Sequence, residues 1–193
     1  MHRRSGTSCR SGFTMVELVV VIVIIGILGA VGAMRYFDNT AFASRAVADQ
    51  VKSLMRFAQK LAIAQNREIY VMSGPSGFSV CSSNNCAAGT LATHPANSNN
   101  GTSATRAFCT SGGAYVASWA CLGIPSDTVV NVIAARNEFG PSGYFYFDAL
   151  GRPHNKGDAV GGTSTFTNSM TLNFTSGSNV YSLVIEPETG YVH

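Results

Sequence analysis

The chain has 193 residues, with 13 lysines and arginines against 10 aspartates and glutamates, and a formal net charge of +3. Arg3, Arg4 and Arg10 all lie before Gly12, so the chain beyond that glycine carries ten basic and ten acidic residues and is neutral. A neutral chain is not built as a polyelectrolyte, which argues against a general nucleic-acid binder, and its length suffices for one modest domain on a stalk.

The first element is the run from Phe13 to Met34, rich in Val, Ile and Leu and interrupted by one carboxylate, Glu17. As a helix rising ~1.5 Å per residue it is long enough to cross the ~30 Å hydrocarbon layer, so the run predicts a membrane span. A carboxylate inside a span costs about 3 kcal/mol on insertion scales and calls for a partner. Cleavage after Gly12 would create one, because the new amino group at Phe13 has a reference pKa of about 8 and is cationic. Within one helix Glu17 lies a turn further along and points sideways. A neighbouring subunit shifted along the axis makes the better match, and buried charges that pair across subunits set register. The arginines before the run place the leader in the cytoplasm and everything after Met34 outside. Gly26, Gly29 and Gly32 permit close helix approach.

Gly12-Phe13-Thr14-Met15-Val16-Glu17-Leu18 with its apolar tail resembles the type III signal of type IV pilins and pseudopilins. The resemblance implies a leader of residues 1–12 that a membrane aspartyl prepilin peptidase removes after Gly12. It also implies methylation of Phe13, a docking role for Glu17, and partners among other pilin or pseudopilin subunits and an inner-membrane assembly platform. The proline usual near the end of that family's membrane helix is missing, with Met34 and Arg35 in its place. Two plainer readings compete. A secretory signal peptide could be cut at Val31-Gly32-Ala33, but its apolar region would exceed the usual ~7–15 residues and would contain Glu17. An ordinary anchor would leave Glu17 incidental.

Beyond Arg35 the apolar residues Phe37, Phe42, Val47, Val51, Leu54, Met55, Ala58, Leu61 and Ala62 recur every three or four positions. Arg45, Asp49, Lys52, Arg56, Lys60 and Arg67 fall largely between them, so residues 35–67 read as an amphipathic continuation. No proline occurs from Phe13 to Asn66, which predicts one helix of about 50 residues, roughly 80 Å long.

A hairpin follows, with strands over 68–72 and 78–81 around Gly74-Pro75-Ser76-Gly77. From Ser82 to about Ser118 the composition turns to Ser, Asn, Thr, Gly and Ala, which reads as a long excursion outside the core, either a recognition loop or a tolerated insertion. Cys9 leaves with the leader, and Cys81, Cys86, Cys109 and Cys121 form an even set suited to an oxidising compartment. Four cysteines allow three connectivities. Cys81 with Cys86 and Cys109 with Cys121 is preferred, since each closes a short polar loop. Their spacing, with only His94 nearby, fits no compact zinc pattern.

Further strand signals lie at 128–133, 144–147, 170–174 and 181–185, separated by turn clusters at 140–143, 150–153 and 175–179. One long helix followed by several such strands predicts an α+β fold, with an antiparallel sheet over 68–193 folded against the helical stripe and residues 81–121 as its disulfide-pinned loop region. No nucleophile elbow, zinc-protease helix or phosphate loop occurs, and His94, His154 and His193 sit in turn-like or terminal context without an adjacent carboxylate pair. They read as solvated surface histidines, so neither an enzyme nor a cofactor is expected.

Phe147-Asp148-Ala149-Leu150-Gly151-Arg152-Pro153, Val184-Ile185-Glu186 and Glu188-Thr189-Gly190-Tyr191-Val192-His193 resemble the GspH/FimT pseudopilin domain. Within it they are most similar to the minor pilin C group of the mannose-sensitive haemagglutinin (MSHA) pilus. The helical segment Arg45 to Asn66 is similar too, whereas Ser82 to Asp127 is not covered. The resemblance implies the pilin fold and a minor pilin or pseudopilin. Such a subunit would be a single-pass protein of the bacterial inner membrane with a periplasmic head, acting in the assembly or priming of an MSHA-like type IV pilus. Two alternatives are a GspH-like pseudopilin of type II secretion and a FimT-like minor pilin that binds DNA during natural transformation. For the latter, Arg152, His154 and Lys156 form one small basic turn, Arg106 and Arg136 are isolated, and Tyr191 and His193 stand where DNA-binding relatives display arginines.

Overall fold

The computed structural model describes residues 13–36, 39–74, 76–133 and 143–193. It divides into two compact units, Met1–Asn39 and Thr40–His193. The first contains helix α1 (Met15–Tyr36) and the second begins with helix α2 (Asn39–Gln65). These two elements fall on the stretch expected to form one helix; residues 37 and 38 between them, like the leader and the turn residues 140–142, lie outside the described residues.

Helix α2 buries Val47, Ala48, Val51, Leu54, Met55, Ala58 and Ala62, the three-and-four repeat of its sequence, and leaves Arg45, Asp49 and Lys60 in solvent. Phe42, counted in the stripe, is instead 74% exposed. The helix stops at Asn66, which takes a left-handed φ of 49° that asparagine tolerates at a helix end.

Against α2 the chain folds two sheets where one was expected. Strands β1 (Ile69–Gly74), β2 (Gly77–Cys81), β5 (Cys121–Gly123), β7 (Tyr144–Phe147) and β8 (Pro153–Asn155) form a five-stranded antiparallel sheet in the order β5-β2-β1-β7-β8. Strands β6 (Val129–Ile133), β9 (Met170–Ser176) and β10 (Asn179–Ile185) form a second sheet in the order β10-β9-β6. Both sheets and α2 share one apolar core, with Val71, Phe145 and Phe147 from the first sheet and Leu172, Phe174 and Ile185 from the second. The fold is α+β, a helix packed on antiparallel β-structure. Strand β9 alternates buried and half-buried residues along its length, as a strand with one face on a core must. Strand β2 is buried at all five residues, so its outer face is covered as well.

That cover comes from the 82–118 segment, which corrects the expectation of an excursion outside the core. The segment forms a short helix α3 (Ser103–Phe108) and a hairpin of β3 (Thr110–Ser111) and β4 (Ala114–Tyr115). A second apolar cluster joins Cys81, Cys109, Trp119 and Cys121 with Leu91, Phe108, Tyr115 and Val116 packed against it. The Trp119 indole donates to the Val80 carbonyl at 2.9 Å, and Asn99, itself buried, donates to the carbonyls of Val116 and Trp119. Thr102 caps α3, and the buried Thr105 hydroxyl accepts from the Gly123 amide at 3.1 Å. The polar composition that reads as loop is here spent on caps and buried backbone partners.

Gly123 shows how tightly α3 seats on β5. A Cβ there would lie 2.1 Å from the Ala104 carbonyl oxygen and 2.6 Å from the Thr105 nitrogen, both backbone. Gly123→Ala is therefore expected to lower stability by about 3 kcal/mol, read as an earlier denaturant midpoint with unchanged slope. An unchanged midpoint would contradict the seating.

Candidate functional site

In the N-terminal unit Phe13 is 81% exposed, and the Thr14 hydroxyl accepts from the Glu17 amide at 3.3 Å. Thr14-Met15-Val16-Glu17 thus has the spacing of a capping box, a signal that sequence reading overlooked. Glu17 sits in the first turn of α1, where the helix N-terminus favours a negative charge. Every described side chain from Met15 to Ala30 is exposed, on all sides of the helix. A helix apolar all round belongs inside an apolar surround. A Cβ on Gly26, Gly29 or Gly32 would meet nothing within 4 Å, so these glycines leave an open track. Helix α1 has 22 residues, about 33 Å, yet among the described residues no helix is long and apolar enough to cross a membrane. Gly12, the expected cleavage residue, lies outside the described residues.

In the second unit Cys81 is bonded to Cys86 and Cys109 to Cys121, with Cα separations of 5.3 and 5.8 Å. The first bond closes a turn at the end of β2, and the second ties the end of α3 to β5. Among the described residues no group of histidines, cysteines and carboxylates is arranged to hold a metal ion.

The histidines divide. The His94 ring accepts from the Ala96 amide and is half-buried, and His193 pairs with Glu186 at 2.9 Å on the surface. His154 corrects the expectation of a solvated residue without carboxylate neighbours, being 1% exposed. Antiparallel pairing of β7 with β8 sets it opposite Tyr146, on which its ring stacks at 4.8 Å. Its Nε2 faces Asp148 Oδ2 at 3.3 Å, and its Nδ1, which has no hydrogen-bond partner, faces Asp158 Oδ2 at 3.8 Å. Burial pushes both carboxyls upward, but hydrogen bonds outweigh it. Asp148 accepts from the backbone and guanidinium of Arg152, from His154 and from the Leu150 amide, which hold it below the usual carboxylate range. Asp158 is held low by the Thr165 hydroxyl and amide, the Asn155 amide and His154. Burial, with the nearby Asp158 charge, pushes the Tyr146 hydroxyl up to about 12. Each of these bonds is internal, tying β7, β8 and the 158–165 segment together.

This arrangement also corrects the expected basic turn. Arg152 is paired with Asp148 at 2.9 Å, His154 is buried between two carboxylates, and Lys156 lies over the Tyr144 ring, so two of the three basic residues are already engaged with acidic partners. Arg136 lies outside the described residues.

Of the three C-terminal pieces that carry the family resemblance, two meet at one side chain of α2 and the third pairs with the chain's last residue. Gln59 donates to the Gly151 carbonyl at 2.9 Å and to the Thr189 carbonyl at 2.8 Å, and Arg56 donates to Val192 at 3.0 Å. Val184 exchanges both backbone bonds with His193. Gly190, with φ of 62°, must be glycine, since a Cβ would lie 2.3 Å from the Gly151 carbonyl oxygen.

Comparison with known proteins bears on the N-terminal unit above all. No curated protein matches the chain in sequence. Two crystal forms of the type IV minor pilin FimU of Pseudomonas aeruginosa are similar in structure, each at 11% identity. Their TM-scores are 0.44 and 0.46, covering 77% and 81% of this chain and 90% of FimU. Residues 7–33, the segment that holds Gly12, Phe13 and Glu17, match the family described as the prokaryotic N-terminal methylation motif.

Proposed function

We propose that the chain is a type IV pilin-like minor subunit, made as a precursor, cut between Gly12 and Phe13 and methylated on the new amino group. In this reading α1 holds the subunit in the inner membrane before assembly and in the filament afterwards, with the α+β head in the periplasm. Glu17 is the docking charge for the amino terminus of a neighbouring subunit. Prepilin peptidase, the inner-membrane assembly platform and other pilin-like chains are its partners. The observation that carries the reading is one coincidence. The methylation-motif match over 7–33 falls on a helix whose apolar side chains are exposed on every side. Such a surface needs lipid or other subunits around it, and a pilin helix meets both in turn. The likeness of 147–153, 184–186 and 188–193 to the MSHA minor pilin C group supports an MSHA-like pilus as the filament. The role is structural, in assembly or priming.

Mass spectrometry of the protein taken from its own membrane tests the processing step. The expected mature start is N-methylated Phe13, and Gly12→Val is expected to leave the precursor uncut in the membrane. An intact leader on the wild-type chain, or a start beyond Ala33, would overturn the reading.

A further inference from the structure

Along α2 a groove runs between the helix and the 94–100 segment. Its deeper part, about 410 Å³, is walled by Leu54, Phe57, Pro95, Ala96 and Leu122. The part next to it, about 710 Å³, shares Ser53, Phe57 and Pro95 and is bordered by Lys52, Arg56, Lys60 and Asp49. An Asn100 to Gln50 hydrogen bond of 2.7 Å bridges the groove at its apolar end.

The charges along this groove are unbalanced. Asp49 is its one carboxylate and leans on Arg45 at 3.9 Å, while among the described residues Lys52 and Lys60 have no ion-pair partner. Arg56 gives one N–H to the Val192 carbonyl and keeps its charge. Lys52, Arg56 and Lys60 follow each other at four-residue steps, so on a helix they repeat every ~6 Å along one side. Alternate residues of an extended chain repeat every ~6.6 Å and point to the same side. A strand lying along α2 with acidic residues at every second position would therefore meet the three cations in step. An apolar side chain beside them would enter the space between Leu54, Phe57 and Leu122.

We propose that this groove is a docking site for an extended acidic segment with an apolar anchor, contributed by a neighbouring subunit of the filament. That the segment belongs to a subunit rests on the filament reading above; the groove's preference for acidic peptide does not. A nucleic-acid strand also carries regularly spaced charge, but it fits less well. The wall opposite the cations is His94, Pro95, Ala96, Ser98 and Asn99, with no lysine or arginine. Phe57 is the one Phe, Tyr or Trp ring lining the groove, so successive bases would find no series of stacking platforms.

The test uses the full chain in detergent and three labelled probes: a peptide of alternating Glu and Leu, the same peptide with Gln for Glu, and a single-stranded oligonucleotide. The Glu peptide is expected to bind, the Gln peptide to bind roughly tenfold more weakly, and Lys52→Glu with Lys60→Glu to weaken the Glu peptide by at least about tenfold. Phe57→Ala is expected to weaken the Glu and Gln peptides alike. Both lysines are unpaired, so the reversed variant should keep the wild-type unfolding midpoint, which excludes misfolding as the cause. Equal binding of the two peptides, indifference to charge reversal, or tighter binding of the oligonucleotide than of the Glu peptide would each overturn the proposal. Because binding is read on the isolated chain, an uncut leader in cells would defeat the filament reading and leave the groove's preference standing.

Discussion

In a Glu17→Val variant the precursor is expected to enter the membrane and to be cut at Phe13 as usual, yet to be depleted from filaments by about an order of magnitude. The two halves of this result separate because the proposed function has the carboxylate act at two stages. During insertion it is a burden of about 3 kcal/mol that valine removes, so the variant should insert at least as well as wild type. During assembly, in the proposed function, the same carboxylate neutralises an amino terminus in an apolar surround. Losing that neutralisation costs at least the ~1.4 kcal/mol that a tenfold depletion represents. Thr14 still offers its hydroxyl as a helix cap in the variant, so the start of α1 should hold. Quantifying mature chain in sheared filaments against mature chain in the membrane decides the matter. Wild-type incorporation would mean that Glu17 serves only its own helix N-terminus.

His154→Ala is expected to cost the head about 2–3 kcal/mol near neutral pH, with a pH signature that a simple cavity would lack. Truncation removes the ring stacked on Tyr146 and leaves Asp148 and Asp158 facing a void. The sign follows from the two carboxyls, both held below their ordinary range. A carboxyl with a depressed folded pKa contributes stability above its unfolded value, near ~4, and loses it as pH falls through the folded value. Part of that contribution comes from His154, the rest from Arg152, Thr165 and backbone amides. Wild type should therefore weaken below about pH 4, the variant less steeply, and the gap between them should narrow with acid. Denaturant unfolding at a series of pH values measures it. A gap constant from pH 7 to pH 3 would reduce His154 to a packing residue.

Much of α2 and of the sheets was legible because their signals are local. The burial of Val47, Val51, Leu54, Met55, Ala58 and Ala62 follows the three-and-four spacing, and the alternation in 170–176 marks a strand with one face covered. Asp148, His154 and Asp158 were not legible together. Only the pairing of β7 with β8 brings His154 beneath Tyr146 and between the two acids, and that pairing spans a turn whose residues look like ordinary surface. The 82–118 segment misled for a related reason. Ser, Asn and Thr there satisfy backbone groups at caps and turns, a use that composition cannot distinguish from solvation.

What the chain's order of residues marked unaided is the N-terminal motif. Gly12, Phe13 and Glu17 stand close together at the head of an apolar run, a local pattern that is read without any tertiary contact. The split into two sheets over one core, the seating of α3 on β5 and the buried His154 were decided only when distant segments met. Each depends on which backbone and polar groups find partners across 18 or more residues, or across a turn, once water is excluded.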